Sequence, residues 1–327
     1  MMRQIVRRLT LTLLAIGLAS PALAVDGVLE INQTCAVNTG CFNLDAAGFP
    51  VTIDGSAGRS YRLTSDLVIP DSVAATTNAI FVSGPSISID LNGFEIVRSG
   101  CEGSNTNCMS TTVAGCGVCS FNNTRGISVK NGSIVGMGSG IGLGTQCEVR
   151  NVRARWNRFN GVSCDIGSSM SNNVAYQNGA DGVRAEDGST ISGNTSYLNG
   201  NNGIFAGFGS TVSGNAVWDS VFNGIFCQGE CTISGNTSNR SGGDGIFANN
   251  GSSVTGNTVR FGAADGIQTG TDSNVQGNTV SRNTLFGLNL GTNSAYRGNV
   301  ISLNSSGTVS GGVNLGANSC NGTATCP

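Results

Sequence analysis

A glycine returns every 21 residues through the middle of this chain, at Gly140, Gly161, Gly182, Gly203, Gly224, Gly245, Gly266 and Gly287, without a slip. Asparagine keeps the same period at Asn173, Asn194, Asn215, Asn236, Asn257, Asn278 and Asn299, and all but the first follow a glycine. Repetition this regular leaves few architectures. Each repeat is one unit that buries its apolar side only against its neighbours, which makes a solenoid. Within a repeat, Ile, Val or Leu follows the glycine and a small or apolar residue sits two further on. A second apolar position recurs at Met170, Ile191, Val212, Ile233, Val254 and Val275, and a third at Val217, Val259, Val280 and Ile301. Alternation with period two marks strands with one buried side. Three short strands joined by Gly/Asn turns make one coil. Helical repeats are excluded, because no apolar period of helical length follows the first residues. The six-residue pattern of left-handed solenoids, a leucine framework and a calcium-binding nonapeptide repeat are also missing. The predicted fold class is all-β: a single-stranded right-handed parallel β-helix with 21-residue coils and capped ends.

The ends and interruptions follow from the same register. Residues 1–24 read as a signal peptide: Arg3, Arg7 and Arg8 precede a short apolar run, and Pro21 precedes an Ala22-Leu23-Ala24 cleavage site. Residues 25–327 form one domain, with an N-terminal cap and first turns at 25–75, a Cys-rich insertion at 99–115, regular coils at 140–304 and a C-terminal cap at 305–327. The sequence predicts a secreted or periplasmic protein with no stable membrane span. The 50 glycines would suit a disordered chain, but 39% hydrophobic residues and the periodic spacing argue for a packed one. The formal net charge is −2. Loss of the three signal arginines takes it to about −5, which argues against a nucleic-acid partner.

Twelve cysteines behind an export signal are expected to be oxidised. Spacing predicts Cys35–Cys41 and Cys320–Cys326 as staples of the caps, Cys227–Cys231 as a clasp on one turn, and Cys147–Cys164 as a bridge between coils. Cys101, Cys108, Cys116 and Cys119 are expected to pair among themselves, in an order the spacing leaves open. A redox role for the C-x-x-C at Cys116 is the alternative, but no thioredoxin-like βαβ pattern surrounds it.

Residues 140–304 resemble the parallel β-helix repeat proteins of the pectate-lyase-like superfamily. Ser60-Tyr61-Arg62-Leu63-Thr64-Ser65-Asp66-Leu67, Ile89-Asp90-Leu91-Asn92-Gly93-Phe94 and Asn131-Gly132-Ser133-Ile134 are similar to exported bacterial members, most of them without an assigned activity. The resemblance implies a polysaccharide or cell-surface glycan as partner. For a lyase, it implies an Arg or Lys base acting beside a uronate carboxylate. Lys130, Arg150, Arg153, Arg155, Arg158 and Arg184 are the basic residues available, with Lys130 and Arg150 one coil apart. The chain has no histidine, which removes His-based triads and the His-containing motifs of polygalacturonases and alginate epimerases in this superfamily.

Stacking coils turns each 21-residue spacing into a column, with neighbours ~4.8 Å apart. The two Asn registers, the second at Asn157, Asn178, Asn199, Asn283 and Asn304, are expected to be internal amide ladders. Outward columns are the candidate ligand surface. Phe205, Phe226 and Phe247 fall in one, headed by Arg184. Tyr176, Tyr197 and Trp218 fall in another, headed by Arg155. Alternation predicts an exposed phenylalanine stack and sets both columns beside one groove, where aromatic and Arg side chains suit sugars. Mutual stabilisation of adjacent coils is the plainer reading. Asp244 and Asp265 lie on successive coils, close enough to form an acid/base pair or to hold calcium, the one cofactor the sequence suggests. Asp165 and Glu186 form a similar pair, though in either place the acids can simply cap turns. Competing functions are a non-catalytic structural or adhesive surface protein and, from a short Ser/Thr array (Thr190 and Ser192, Thr211 and Ser213, Thr232 and Ser234, Ser253 and Thr255), an ice-binding face.

Overall fold

The computed structural model describes residues 27–101, 108 and 112–327. The proposed signal peptide and most of the 99–115 insertion lie outside these residues. Apart from one short helix, Gln33–Asn38, the regular structure described is strand. The strands pair in parallel within two sheets, of 12 and 23 strands. The coil that begins at Gly182 shows why. Val183–Ala185 joins the smaller sheet, called face one below, and Thr190–Ser192 and Thr195–Tyr197 join the larger one as faces two and three. Pairing follows the 21-residue period: Val183 opposite Ile204, Ile191 opposite Val212, Ser196 opposite Val217. The chain is a parallel β-helix.

The core is one continuous column of small and branched side chains. Val183, Ile204, Ile225, Ile246 and Ile267 line it from face one, and Ile191, Val212, Ile233 and Val254 from face two, all fully buried. Corners must also bury backbone N–H groups, and amide ladders satisfy them. In the first, Oδ1 of Asn236 accepts from both Nδ2 and the backbone N–H of Asn215, while its own Nδ2 donates to Val212 O and to Asn257 Oδ1, at 2.9–3.0 Å. This chain of amides runs from Asn173 to Asn318. The second register forms shorter ladders, Asn157–Asn178–Asn199 and Asn283–Asn304. A third ladder is built of hydroxyls: Ser168 N–H donates to Ser189 Oγ at 3.0 Å, Ser189 to Ser210, Ser252 to Ser273 and Ser273 to Ser294.

The two glycine registers have different causes. At Gly203 a Cβ would run into the Val217 side chain and sit 2.8 Å from the Gly224 carbonyl oxygen. Gly193 instead has φ +65°, the left-handed region that glycine reaches without penalty. In the coil before it Asn172 holds that conformation at φ 56°, asparagine being the usual substitute there. A further left-handed position precedes the second Asn register in every regular coil, and it is filled by Trp156, Gln177, Leu198, Asp219, Arg240, Phe261, Arg282 and Leu303, with φ between 52° and 59°. Type is unrestricted along this edge.

All four assigned disulfides form: Cys35–Cys41, Cys147–Cys164, Cys227–Cys231 and Cys320–Cys326. Cys116 bonds to Cys119, which fixes part of the order the spacing left open. Cys101 and Cys108 lie side by side, the Cys101 thiol donating to the Cys108 carbonyl at 3.7 Å.

Candidate functional site

The outward residues of face one form an unbroken column. In register they are Thr52, Phe81, Cys119, Gly142, Ser163, Arg184, Phe205, Phe226, Phe247, Gln268, Asn289 and Ser310. Phe205, Phe226 and Phe247 stack as expected, with centroids 5.3 and 5.2 Å apart and planes within 16°. Their exposure departs from expectation. Stacking along the solenoid axis makes each ring cover its neighbour's face, and the Arg184 guanidinium lies 3.8 Å over Phe205. Phe205 is therefore buried, with 8% of its surface accessible, while Phe226 and Phe247 remain partly exposed. The stack offers solvent ring edges rather than open faces.

Beside it the column turns small. Cys119, Gly142 and Ser163 make the floor of a groove of about 550 Å³. Phe81, packed edge-on against Phe121 at 4.8 Å, stands in the column before the floor, and Arg184 stands after it. One side is polar: Ser120, Asn122, Asp165, Glu186 and Asp187 line it with Ile166. Arg184, the cation here, is held by Asp181 at 3.2 Å and Glu186 at 2.8 Å. Its charge is largely spent within the wall, so the groove as a whole is acidic. Asp165 and Glu186 were legible as a stacked acid pair. Phe81 and Cys119 were not, because the coil spacing is irregular before Gly140: 38 residues separate Phe81 from Cys119 and 23 separate Cys119 from Gly142.

The other aromatic column does not share this groove. Tyr176, Tyr197 and Trp218 stack at 4.7 and 4.8 Å, within 7° of parallel, but they stand on face three. The face-one groove opens instead towards the turns that lead into face two, at Asp165–Ile166 and Glu186–Asp187. Arg155 heads the Tyr/Trp column, donating to Tyr176 Oη and pairing with Glu95, both at 3.3 Å. Burial raises the Glu95 carboxyl above its usual range, and the Arg155 charge opposes that rise.

The basic residues do not converge. Arg153 and Arg155 lie on face three, Arg184 on face one, and Lys130 and Arg150 on face two. Lys130 and Arg150 are direct cross-coil partners, within a ladder of charges where Lys130 pairs with Asp90 at 3.4 Å and Arg150 with Glu148 at 3.2 Å. Neither stands ready as a base.

Asp244 and Asp265 belong to another ladder. The backbone N–H of Asp265 donates to Asp244 Oδ1, and that of Phe286 to Asp265 Oδ1, each at 2.8 Å. Asn160, Asp181 and Asn223 accept in the same way in earlier coils. These carboxylates serve the backbone. Asp244 is 93% buried, and desolvation, with the Asp265 charge adding to it, lifts its pKa to about 6 against the hydrogen bond from Asp265. Among the described residues no cluster of three or more Asp, Glu, Cys or His groups could hold a metal. No helix there is long and apolar enough to cross a membrane.

The family described as right handed beta helix region matches residues 139–285. No curated protein sequence matches the chain. Among solved structures, a mutant of the periplasmic alginate epimerase is similar over 89% of this chain and 83% of its own, with TM-score 0.64 and 14% identity. The A-module of a mannuronan C-5 epimerase from Azotobacter vinelandii is similar over 88% and 89%, with TM-score 0.55 and 17% identity. The catalytic domain of a GH87 α-1,3-glucanase is similar over 89% and 63%, with TM-score 0.55 and 12% identity.

Proposed function

We propose, for a chain that is a right-handed parallel β-helix, that it is an exported glycan-binding protein holding an extended polysaccharide along face one. The groove carries this reading. A straight floor of three small residues spans ~10 Å, two coil spacings of ~4.8 Å, with an aromatic pair before it and the Arg184-capped phenylalanine stack after it. Hydroxyl, amide and carboxylate groups along one side supply hydrogen bonds to sugar hydroxyls. Epimerases of alginate and a glucanase share the fold, and five disulfides suit an oxidising compartment.

The wall chemistry favours a neutral or amino-sugar chain over a polyuronate. Asp165, Glu186 and Asp187 would repel uronate carboxylates, and Arg184 is already engaged by two acids. The polyuronate-lyase reading lacks a free base in the groove. Should the protein be catalytic, Asp165 and Glu186 are the pair to test as a glycosidase couple. A purely structural or adhesive role is the alternative, favoured by aromatic rings that cover one another's faces.

Calorimetric titration against neutral, amino-sugar and acidic polysaccharides, with ultraviolet detection of unsaturated products, separates these readings. Ser163→Trp fills the floor from outside the core. It should reduce glycan affinity at least ten-fold while the circular dichroism stays unchanged. Full binding by that variant, or no binding to any polysaccharide by the parent, would remove the proposal.

A further inference from the structure

The floor of the face-one groove holds one half of a disulfide. Cys119 lines the groove with Ser120 and Asn122, the residues on the side away from Cys116. Both sulfurs lie over Gly142, where a Cβ would stand 3.3 Å from Cys119 Sγ and 3.4 Å from Cys116 Sγ. Among the described residues of the outward column only Gly142 lacks a side chain, so that position leaves the bond uncovered. Cys116 and Cys119 are partly exposed, whereas Cys147, Cys164, Cys227 and Cys231 are at most 2% exposed. The fold does not lean on this bridge. Cys116 N–H donates to Asn78 Oδ1 at 2.8 Å, Ala79 N–H donates to the Cys116 carbonyl at 2.9 Å, and Cys119 pairs with Phe81 and Gly142 in the sheet. A bridge across a sequence separation of 3 also removes little entropy from the unfolded chain. Exposed bridges of this kind are the labile ones.

We infer that Cys119 is a site of reversible thiol–disulfide exchange with a small cationic thiol, and that the adduct closes the groove; the second half rests on the glycan reading of face one. The incoming thiolate attacks Cys119 Sγ from the groove. A new S–S bond forms there as the bond to Cys116 breaks, and Cys116 leaves as a thiolate that takes a proton from water. In the return step the Cys116 thiolate attacks Cys119 Sγ and expels the small thiolate, so no further oxidant or reductant enters. Asp165, Glu186 and Asp187 make the groove acidic, while Arg184 is engaged by Asp181 and Glu186. These acids oppose the approach of a thiolate, and an ammonium group on the same molecule offsets that. The adduct stands on the floor between Phe81 and Ser163, in the path of an extended chain.

For the test, the full oxidised chain is treated with cysteamine, 2-mercaptoethanol or mercaptoacetate, quenched in acid and mapped by peptide mass spectrometry. Each rate is divided by that thiol's rate with bis(2-hydroxyethyl) disulfide, which removes differences in intrinsic reactivity. Cysteamine should mark Cys119 at least ten-fold faster than Cys35 or Cys41 of the partly exposed cap bridge. After the correction it should also outpace mercaptoacetate at least ten-fold, with 2-mercaptoethanol between them. In Cys116→Ser the return step is blocked and cystamine loads Cys119 stably. The loaded variant should bind glycan at least ten-fold more weakly than the same variant before loading. A first adduct at another cysteine, no preference by charge, unchanged glycan affinity after loading, or a Cys116→Ser chain that fails to fold would each overturn the inference. Exchange at Cys119 in a protein that binds no polysaccharide would remove the glycan reading and leave the exchange site standing. Glycan binding with no adduct at Cys119 would do the reverse.

Discussion

Asp244 shows how a position can be required for its shape and penalised for its charge. The column needs an acceptor aimed at the next coil's N–H, and Asn160 and Asn223 supply it without charge. At Asp244 the same acceptor is a buried carboxylate with a pKa of about 6 against an ordinary 3.8. An acid whose folded pKa lies above its unfolded value favours folding while protonated. The stability it contributes is therefore present below about pH 4 and lost as pH rises towards 6. The loss is on the order of 2–3 kcal/mol. Asp244→Asn should raise the unfolding midpoint at pH 7 and flatten its dependence between pH 4 and 7, as denaturant titrations at several pH values would show. An unchanged pH profile would mean that Asp244 is ionised at no cost. At this scale the sequence was a partial guide. It showed the acid column and its spacing, but not whether the carboxyls face a ligand or the backbone, because Asp suits a cap and a catalytic couple equally well.

Ladders and stacks are the elements that couple coils. The Asn registers stood out because asparagine at fixed spacing is rare enough to be seen. The serine ladder did not, since serine is common here and Cys147 and Cys231 interrupt it. The groove was hidden for a related reason: its Cys119 end lies where coil spacing departs from 21, and its acidic wall comes from turns, where no period-two alternation says which way a side chain points. Asn236→Ala would leave the buried Asn215 N–H without its acceptor and remove one bond each from Asn215 Nδ2, Val212 O and Asn257 Oδ1, of which Asn215 Nδ2 keeps Ile191 O and Asn257 Oδ1 keeps the residue 236 N–H. With ~1–3 kcal/mol for a buried unsatisfied group and about 1 kcal/mol for a lost bond, the variant should lose at least about 2 kcal/mol in chemical denaturation. Asn239→Ala is the control. Its Oδ1 is buried without a partner among the described residues, so truncation should change stability by less than ~1 kcal/mol.

At the scale of the whole molecule nearly every pairing joins one coil to the next, so stability is close to a sum of coil and interface contributions. Removing one full period should preserve every ladder. Deletion of residues 246–266 places Ile267 after Gly245, Gln268 beside Phe226 and Asn278 beside Asn236, with inward and outward sets intact. Deletion of 246–265 shifts the alternation by one residue and turns core side chains to solvent. The 21-residue deletion should keep cooperative unfolding and the parent β-sheet circular dichroism per residue, and the 20-residue deletion should lose both.

The edge running from Trp156 to Leu303 separates what folds this protein from what varies in it. At each of its eight positions the backbone adopts a left-handed turn whatever the side chain, since tryptophan, glutamine, leucine, aspartate, arginine and phenylalanine all occupy it. Left-handed geometry costs such residues ~1–2 kcal/mol, and the ordered corner beside each one offsets that cost. Beyond Trp156, which is buried against Val97 and Val135, the edge therefore carries almost no folding information. It is a row of evenly spaced variables on a fixed frame, where mutation can rewrite the surface one coil at a time without renegotiating the core.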